Sequence, residues 1–215
     1  MISACIETLG LGLCVLGTLL VMVSCGLPMW KVTAFIGSNI VVSQNIWDGL
    51  WMSCAVQSTG QMQCKTYDSV LALSTDVQTA RALTVISSVM GVVGLMITVA
   101  GAQCTNCIKA EALKARVVNA GGVAYIISGL LVLVPLCWIA NNIIVAFYDQ
   151  NVPMGQKREI GASIYIGWAA TAVLLSGGAI LCCSCPNKNT AYAVKYPPPP
   201  KSIMQNGDYD KKNYV

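Results

Sequence analysis

The chain of 215 residues contains no histidine, and only 10% of its residues carry charge, against about 25% in soluble proteins. The missing histidine removes the commonest general base and metal ligand. No other acid–base pair stands out, so the composition speaks against an enzyme. No Asn-x-Ser/Thr sequon occurs, so there is no N-glycan acceptor. Charge is missing altogether from four stretches: Thr8 to Trp30, Ala82 to Ile108, Val117 to Tyr148, and Ile160 to Asn187. Each is longer than the roughly 18 apolar residues that mark a membrane-spanning helix. The third would reach roughly 48 Å at about 1.5 Å per residue, so one end should stand clear of a hydrocarbon core of about 30 Å. The N-terminal stretch does not read as a removable signal peptide. Glu7 occupies the place of a basic n-region and the apolar run is too long.

What charge there is falls unevenly. Lys109, Lys114 and Arg116 crowd the link between the second and third stretches, and Lys188, Lys195, Lys201, Lys211 and Lys212 follow the fourth. The longer segment from Lys31 to Arg81 balances Lys31, Lys65 and Arg81 with Asp48, Asp68 and Asp76. Positive-inside reasoning places both termini in the cytoplasm and that long segment outside. The resulting division is a cytoplasmic N-terminus (1–7), first span (8–30), outer loop (31–81), second span (82–108) and inner loop (109–116). The third span (117–140) extends as helix to about 148. An outer loop (141–160), the fourth span (161–183) and a cytoplasmic tail (184–215) complete the chain.

Cys54 and Cys64 lie symmetrically about Thr59 in the first outer loop. A Ser58-Thr59-Gly60 turn would set them opposite each other on antiparallel strands, at a separation a disulfide spans. An oxidising exterior agrees with the charge argument. Leu50 to Gln57 and Gln61 to Tyr67 form this strand pair. Lys31 to Ile36 and Asn39 to Ser43, separated by Gly37-Ser38, predict a second hairpin, and Asp68 to Leu73 a short helix. A stapled cap is one reading of this loop, with Trp30 and Trp51 as ordinary interfacial anchors. The fold class is therefore an all-α membrane four-helix bundle with a small extracellular antiparallel β-sheet, α+β overall. No charge lies within a charge-free stretch, which speaks against permeation through one bundle. Gly10, Gly17, Gly91, Gly94, Gly121, Gly129, Gly177 and Gly178 instead predict close helix packing.

Trp30, Gly49-Leu50-Trp51, Cys54, Cys64 and Arg81, with the four spans, Phe147-Tyr148 and a terminal Tyr214-Val215, resemble the claudin family of tight-junction proteins, and its barrier-type members most. The resemblance implies a left-handed bundle and a structural adhesion protein that polymerises into strands. Such strands seal or charge-filter the space between epithelial or endothelial cells. It implies claudin partners, homotypic and heterotypic, in cis and in trans, membrane lipid, zonula-occludens PDZ scaffold proteins on Tyr214-Val215, and no nucleic acid, cofactor or metal. By the same resemblance Lys65 is the charge-selectivity position. Val70 is a lateral knob, Phe147, Tyr148 and Ile160 frame its hole, and Pro135 bends the third helix. Asn213 and the residues Val145-Ala146 depart from the commoner patterns.

Cys104, Cys107, Cys182, Cys183 and Cys185 flank inner span ends and read as S-palmitoylation candidates. Zinc binding by four of them, or a Cys104-x-x-Cys107 redox pair, are the alternatives. Cys5, Cys14, Cys25 and Cys137 read as apolar packing residues. A four-span regulatory subunit of an ion channel is the alternative function, and a thiol oxidoreductase a third.

Overall fold

Four helices and one five-stranded sheet form the computed structural model, which describes residues 2–34, 45–56, 60–69, 73–102, 111–153 and 156–184. The helices are α1 (Ile2–Gly26), α2 (Thr75–Gly101), α3 (Glu111–Tyr148) and α4 (Ala162–Cys183). All four are long and apolar enough to cross a membrane. Exposed side chains such as Leu16, Val89, Leu130 and Tyr165 are apolar or aromatic as well. A helix hydrophobic on every side belongs in lipid. In the bundle α1 packs on α4 and α2, and α3 on α2 and α4, closing a ring.

Lipid offers no hydrophobic drive between helices, so small residues and hydrogen bonds must hold the ring. A Cβ on Gly177 would lie 2.7 Å from the Cys14 sulfur, and one on Gly91 2.8 Å from the Thr18 methyl carbon. Gly121 faces Thr98 more closely still. Buried hydroxyls bond to backbone: Thr18 to the Cys14 carbonyl (2.8 Å), Thr98 to Gly94 (2.9 Å) and Thr171 to Gly167 (2.9 Å). Two of these links cross between helices. Ser24 Oγ donates to the Ser163 carbonyl at 2.7 Å, joining α1 to α4. Ser87 and Ser128 each donate to the other's carbonyl at 2.8 Å, joining α2 to α3.

α3 has 38 residues, about 57 Å at ~1.5 Å per residue, so it overshoots the bilayer as its length predicts. Pro135 lies inside it, buried, and the helix runs unbroken through it.

The sheet has the order β4-β3-β2-β1-β5, antiparallel throughout. Its strands are β1 (Lys31–Thr33), β2 (Asn45–Asp48), β3 (Met52–Val56), β4 (Met62–Thr66) and β5 (Arg158–Ile160). The β3–β4 hairpin pairs Cys54 directly with Cys64, and the disulfide forms there with Cα atoms 4.0 Å apart. Gly60 takes a positive φ of 79°, a conformation that side chains with a Cβ resist. Closing a loop this short by a disulfide is worth about 3 kcal/mol.

Several expectations need correction. β1 pairs with Asn45–Asp48, in the register Lys31↔Asp48 and Val32↔Trp47. Gly37-Ser38 and Asn39 to Ser43 lie outside the described residues. Asp68, Ser69 and Leu73 are not helical, and residues 70–72, Val70 among them, are outside the described set. α1 stops at Gly26 before Pro28, whereas α2 begins at Thr75, so Asp76 and Arg81 are helical residues rather than loop. A helix can start in water before it enters lipid, so charge-free length does not mark the helix ends. Cys14 is fully buried as expected, but Cys5 and Cys137 face outward and Cys25 is half-buried.

The second outer loop contributes a strand that composition did not announce. β5 pairs with β1, and the Gly161 amide just after it donates to the Trp30 carbonyl at 3.1 Å. Ser163 N donates to the Met29 carbonyl at 3.1 Å, so backbone meets backbone where α1 ends and α4 begins. A Cβ on Gly161 would strike that Met29 carbonyl, while one on Gly12 meets nothing within 4 Å. Gly161→Ala should therefore cost about 1–3 kcal/mol and lower the detergent-solubilised melting temperature and surface delivery. Gly12→Ala should leave both unchanged.

Candidate functional site

Outside the bilayer the structure presents the sheet, and its chemistry begins where that sheet is seated. Trp30 is 2% exposed. Its indole Nε1–H donates to the Ser24 carbonyl at 2.9 Å, using one of the last α1 carbonyls. Leu50 is buried beside it in the same core cluster, a burial worth about 2 kcal/mol relative to water. Gly49 packs on the Pro28 backbone and turns the chain through a Gly49 N–H to Met52 carbonyl bond of 2.9 Å. The motif is thus a seam of backbone and apolar contact between the end of α1 and the β2–β3 turn. Trp30 is not an interfacial belt residue; Trp51, 41% exposed, could serve as one.

Arg81 reaches this seam from α2. It is 9% exposed, and its Nε donates to the Leu50 carbonyl. Its guanidinium carbon lies 5.0 Å from the Trp51 ring centre and 5.4 Å from that of Tyr67. Two aromatic faces therefore help offset the charge's lost hydration. Tyr67 in turn donates to the Gly49 carbonyl at 3.1 Å. Burial raises the Tyr67 hydroxyl above its ordinary value, Asp48 adds to this, and Arg81 and Arg158 oppose it. The proton needed for that hydrogen bond is thereby retained.

A second clasp joins the two outer loops. Arg158 on β5 donates from Nη1 to Thr33 Oγ1 at 2.8 Å and pairs through Nη2 with Asp48 at 3.4 Å. Ser53 Oγ completes the Asp48 carboxylate at 2.8 Å. Asn142 on α3 donates to Asp76 in the first turn of α2 at 2.9 Å, where an acid also complements the helix dipole. A cleft of about 510 Å³ lies between sheet and helices, lined among others by Lys31, Asp48, Tyr67, Val77 and Ile139. Its acids Asp48 and Asp68 are already paired, with Arg158 and Lys65.

Among the described residues β4 is one of the two edge strands of the sheet, and every residue in it is exposed. Lys65 there forms a 2.6 Å ion pair with Asp68, both 77% exposed. Phe147 and Tyr148 end α3 with rings 5.5 Å apart and nearly perpendicular; Phe147 is half-buried and Tyr148 exposed. Ile160 sits on β5, partly buried against the core. The outer ends of two different elements thus carry these three residues. At the end of the bundle away from the sheet, Cys182 lies 3.9 Å from the Asn119 carbonyl and packs over Gly122, whereas Cys183 is exposed. Cys104, Cys107, Cys185, Tyr214 and Val215 lie outside the described residues. Gly161, Lys157 and Arg158 carry no periodic signal in the sequence: the run Gln156-Lys157-Arg158-Glu159-Ile160 does not alternate.

These features define a multi-pass membrane protein of four apolar helices carrying a disulfide-stapled outer sheet. The family model of the PMP-22/EMP/MP20/Claudin family matches residues 5–181, and the chain belongs to that family. It is 57% identical to Claudin-5 of Homo sapiens over 217 residues, covering 99% of both chains. Identity to Claudin-4 of Canis lupus familiaris is 56% over 197 residues, 91% of this chain and 94% of the relative. Identity to Claudin-3 of Homo sapiens is 54% over 217 residues, 98% of each. The family is one of structural junction proteins rather than enzymes, and these relatives favour the junction reading over the channel subunit.

Lysine lacks the flat fork that fits between two rings while bonding a carbonyl. Arg81→Lys should therefore destabilise the outer half by about 2 kcal/mol, read as a lower melting temperature of the purified protein. Trp51→Phe, which keeps a ring, should lose less.

Proposed function

We propose that this chain builds tight-junction strands by side-by-side polymerisation and that its outer sheets seal or charge-filter the space between cells. The observation that carries this reading is the wholly exposed edge strand β4 on a sheet seated by Trp30, Leu50 and Arg81. The bundle supports it by default. Among the described residues its buried hydroxyls are spent on backbone carbonyls, apart from Tyr125, so it offers no evident polar path of its own. Passage is then controlled beside the protein.

Both termini lie in the cytoplasm on this reading, from the lysine-rich inner loop and tail. Val70 is the lateral knob, and Phe147, Tyr148 and Ile160 of the next molecule frame the hole. Such contacts use different patches on each partner and propagate into filaments. Pro135 removes one α3 hydrogen bond and curves the strand. Tyr214-Val215 adds to the PDZ sheet of a zonula-occludens scaffold. Palmitoylation of the inner cysteines falls on Cys183 more readily than Cys182, because Cys182 packs between helices.

Lys65 sets the ionic preference. A fixed charge in a narrow, partly desolvated gap attracts counter-ions and repels like ions. Its pair with Asp68 is a surface pair, held weakly and screened by salt, so the two charges partly cancel.

Expressed in cells without tight junctions, the chain should form freeze-fracture strands and raise transepithelial resistance. Surface delivery with neither strands nor resistance would refute polymerisation. In dilution-potential measurements Lys65→Asp should shift the strands toward cations and Asp68→Asn toward anions. A sodium-to-chloride ratio unmoved by both would remove Lys65 from the mechanism.

A further inference from the structure

Phe147 and Ile160 lie on separate elements, so something must fix the distance between the end of α3 and β5. The last carbonyls of a helix have no partner inside it. At the outer end of α3, Asp149 N–H takes the Val145 carbonyl at 3.1 Å. Lys157 takes the Phe147 carbonyl: its Nζ donates to that oxygen at 2.7 Å. The same ammonium lies 5.5 Å from the centre of the Phe147 ring. Meanwhile the main-chain carbonyl of Lys157 accepts the Ala34 amide at 3.0 Å, which extends the β1–β5 ladder by one bond. Lys157 is half-buried, so its stem is packed while its head is committed to α3.

One residue therefore joins three parts: the backbone of α3, the ring of Phe147 and the edge of β1. A cation is the favourable group at a helix C-terminus, and the ring face adds a second attraction to the same charge. The loop between closes on itself. Asp149 Oδ1 accepts the Asn151 amide at 2.9 Å, and Gln156 N–H donates to the Pro153 carbonyl at 2.9 Å. These turns shorten the path from Asp149 to Lys157 and return the lysine to the helix end.

We infer that Lys157 is a positioning residue for self-association: by capping α3 and fixing the Phe147 ring against β5, it holds preformed the surface that receives a second copy of this chain. The functional consequence rests on the lateral-assembly reading above; the cap itself does not. A charged, hydrogen-bonding side chain is required here, so the long apolar Met should fail and Arg should succeed.

Two measurements on the full chain separate the claims. In purified Lys157→Met protein, amides Ile144 to Tyr148 should exchange with deuterium at least tenfold faster than wild type, with α1 and α4 unchanged and Lys157→Arg restored. Equal exchange would overturn the cap whatever happens to assembly. In cells, proximity between two differently tagged copies, normalised to surface amount, should fall several-fold in Lys157→Met and return in Lys157→Arg. It should fall no further when Lys157→Met is added to Phe147→Ala. Wild-type proximity in Lys157→Met where Phe147→Ala loses it would overturn the positioning role. Wild-type proximity in Phe147→Ala itself would overturn the lateral-assembly reading, and the positioning role with it.

Discussion

The outer sheet can act on its surroundings only because it is fixed to the bundle, and that attachment depends on the contact of Trp30, Gly49 and Leu50 with the end of α1. The contact works because three requirements coincide at one place. An apolar pair, Trp30 and Leu50, leaves water; the absent Cβ of Gly49 lets its backbone meet Pro28. The Trp30 indole supplies a donor to Ser24, a carbonyl near the end of α1. Arg81 and Tyr67 then close over this seam through the carbonyls of Leu50 and Gly49. A buried guanidinium is expensive unless its neighbours replace its hydration, and here carbonyl and aromatic faces share that task.

The disulfide and the ion pairs act on a different scale. Cys54–Cys64 braces one hairpin and ties the exposed edge strand β4 to β3. Asp48 and Arg158, with Thr33 and Ser53, tie the first outer loop to the second. The sheet is thus a joint product of two loops separated by two helices. Within the membrane the same economy recurs in another form. Serine and threonine hydroxyls bond to backbone, and glycine faces allow α1 to meet α4 and α2 to meet α3.

Much of this was legible beforehand because lipid imposes simple rules on composition. Four charge-free runs implied four helices, the small residues among them implied close packing, and Cys54 and Cys64 about a Gly60 turn implied a stapled hairpin. Helix ends were less legible. Asp76 and Arg81, charged and therefore outside the charge-free run, belong to α2 and meet partners on other elements. The pairing of Lys31 and Val32 with Asp48 and Trp47 was less legible, because hairpin registers depend on the whole connection, which a dipeptide such as Gly37-Ser38 does not set alone.

By itself the amino-acid order determined the medium, the number of spans and the oxidised hairpin, since each follows from local chemistry: hydropathy over a window, or two thiols near a turn. Only the tertiary structure decided that Arg158-Glu159-Ile160 becomes a fifth strand and that Lys157 ends α3. Lys65 meeting Asp68, and Gly161 as an obligatory contact point, were settled there too. Apart from the Lys65–Asp68 and Lys157–Phe147 contacts, these are meetings between segments distant in the chain. Their geometry is set by how long rigid helices lean together, a property no short stretch of residues encodes.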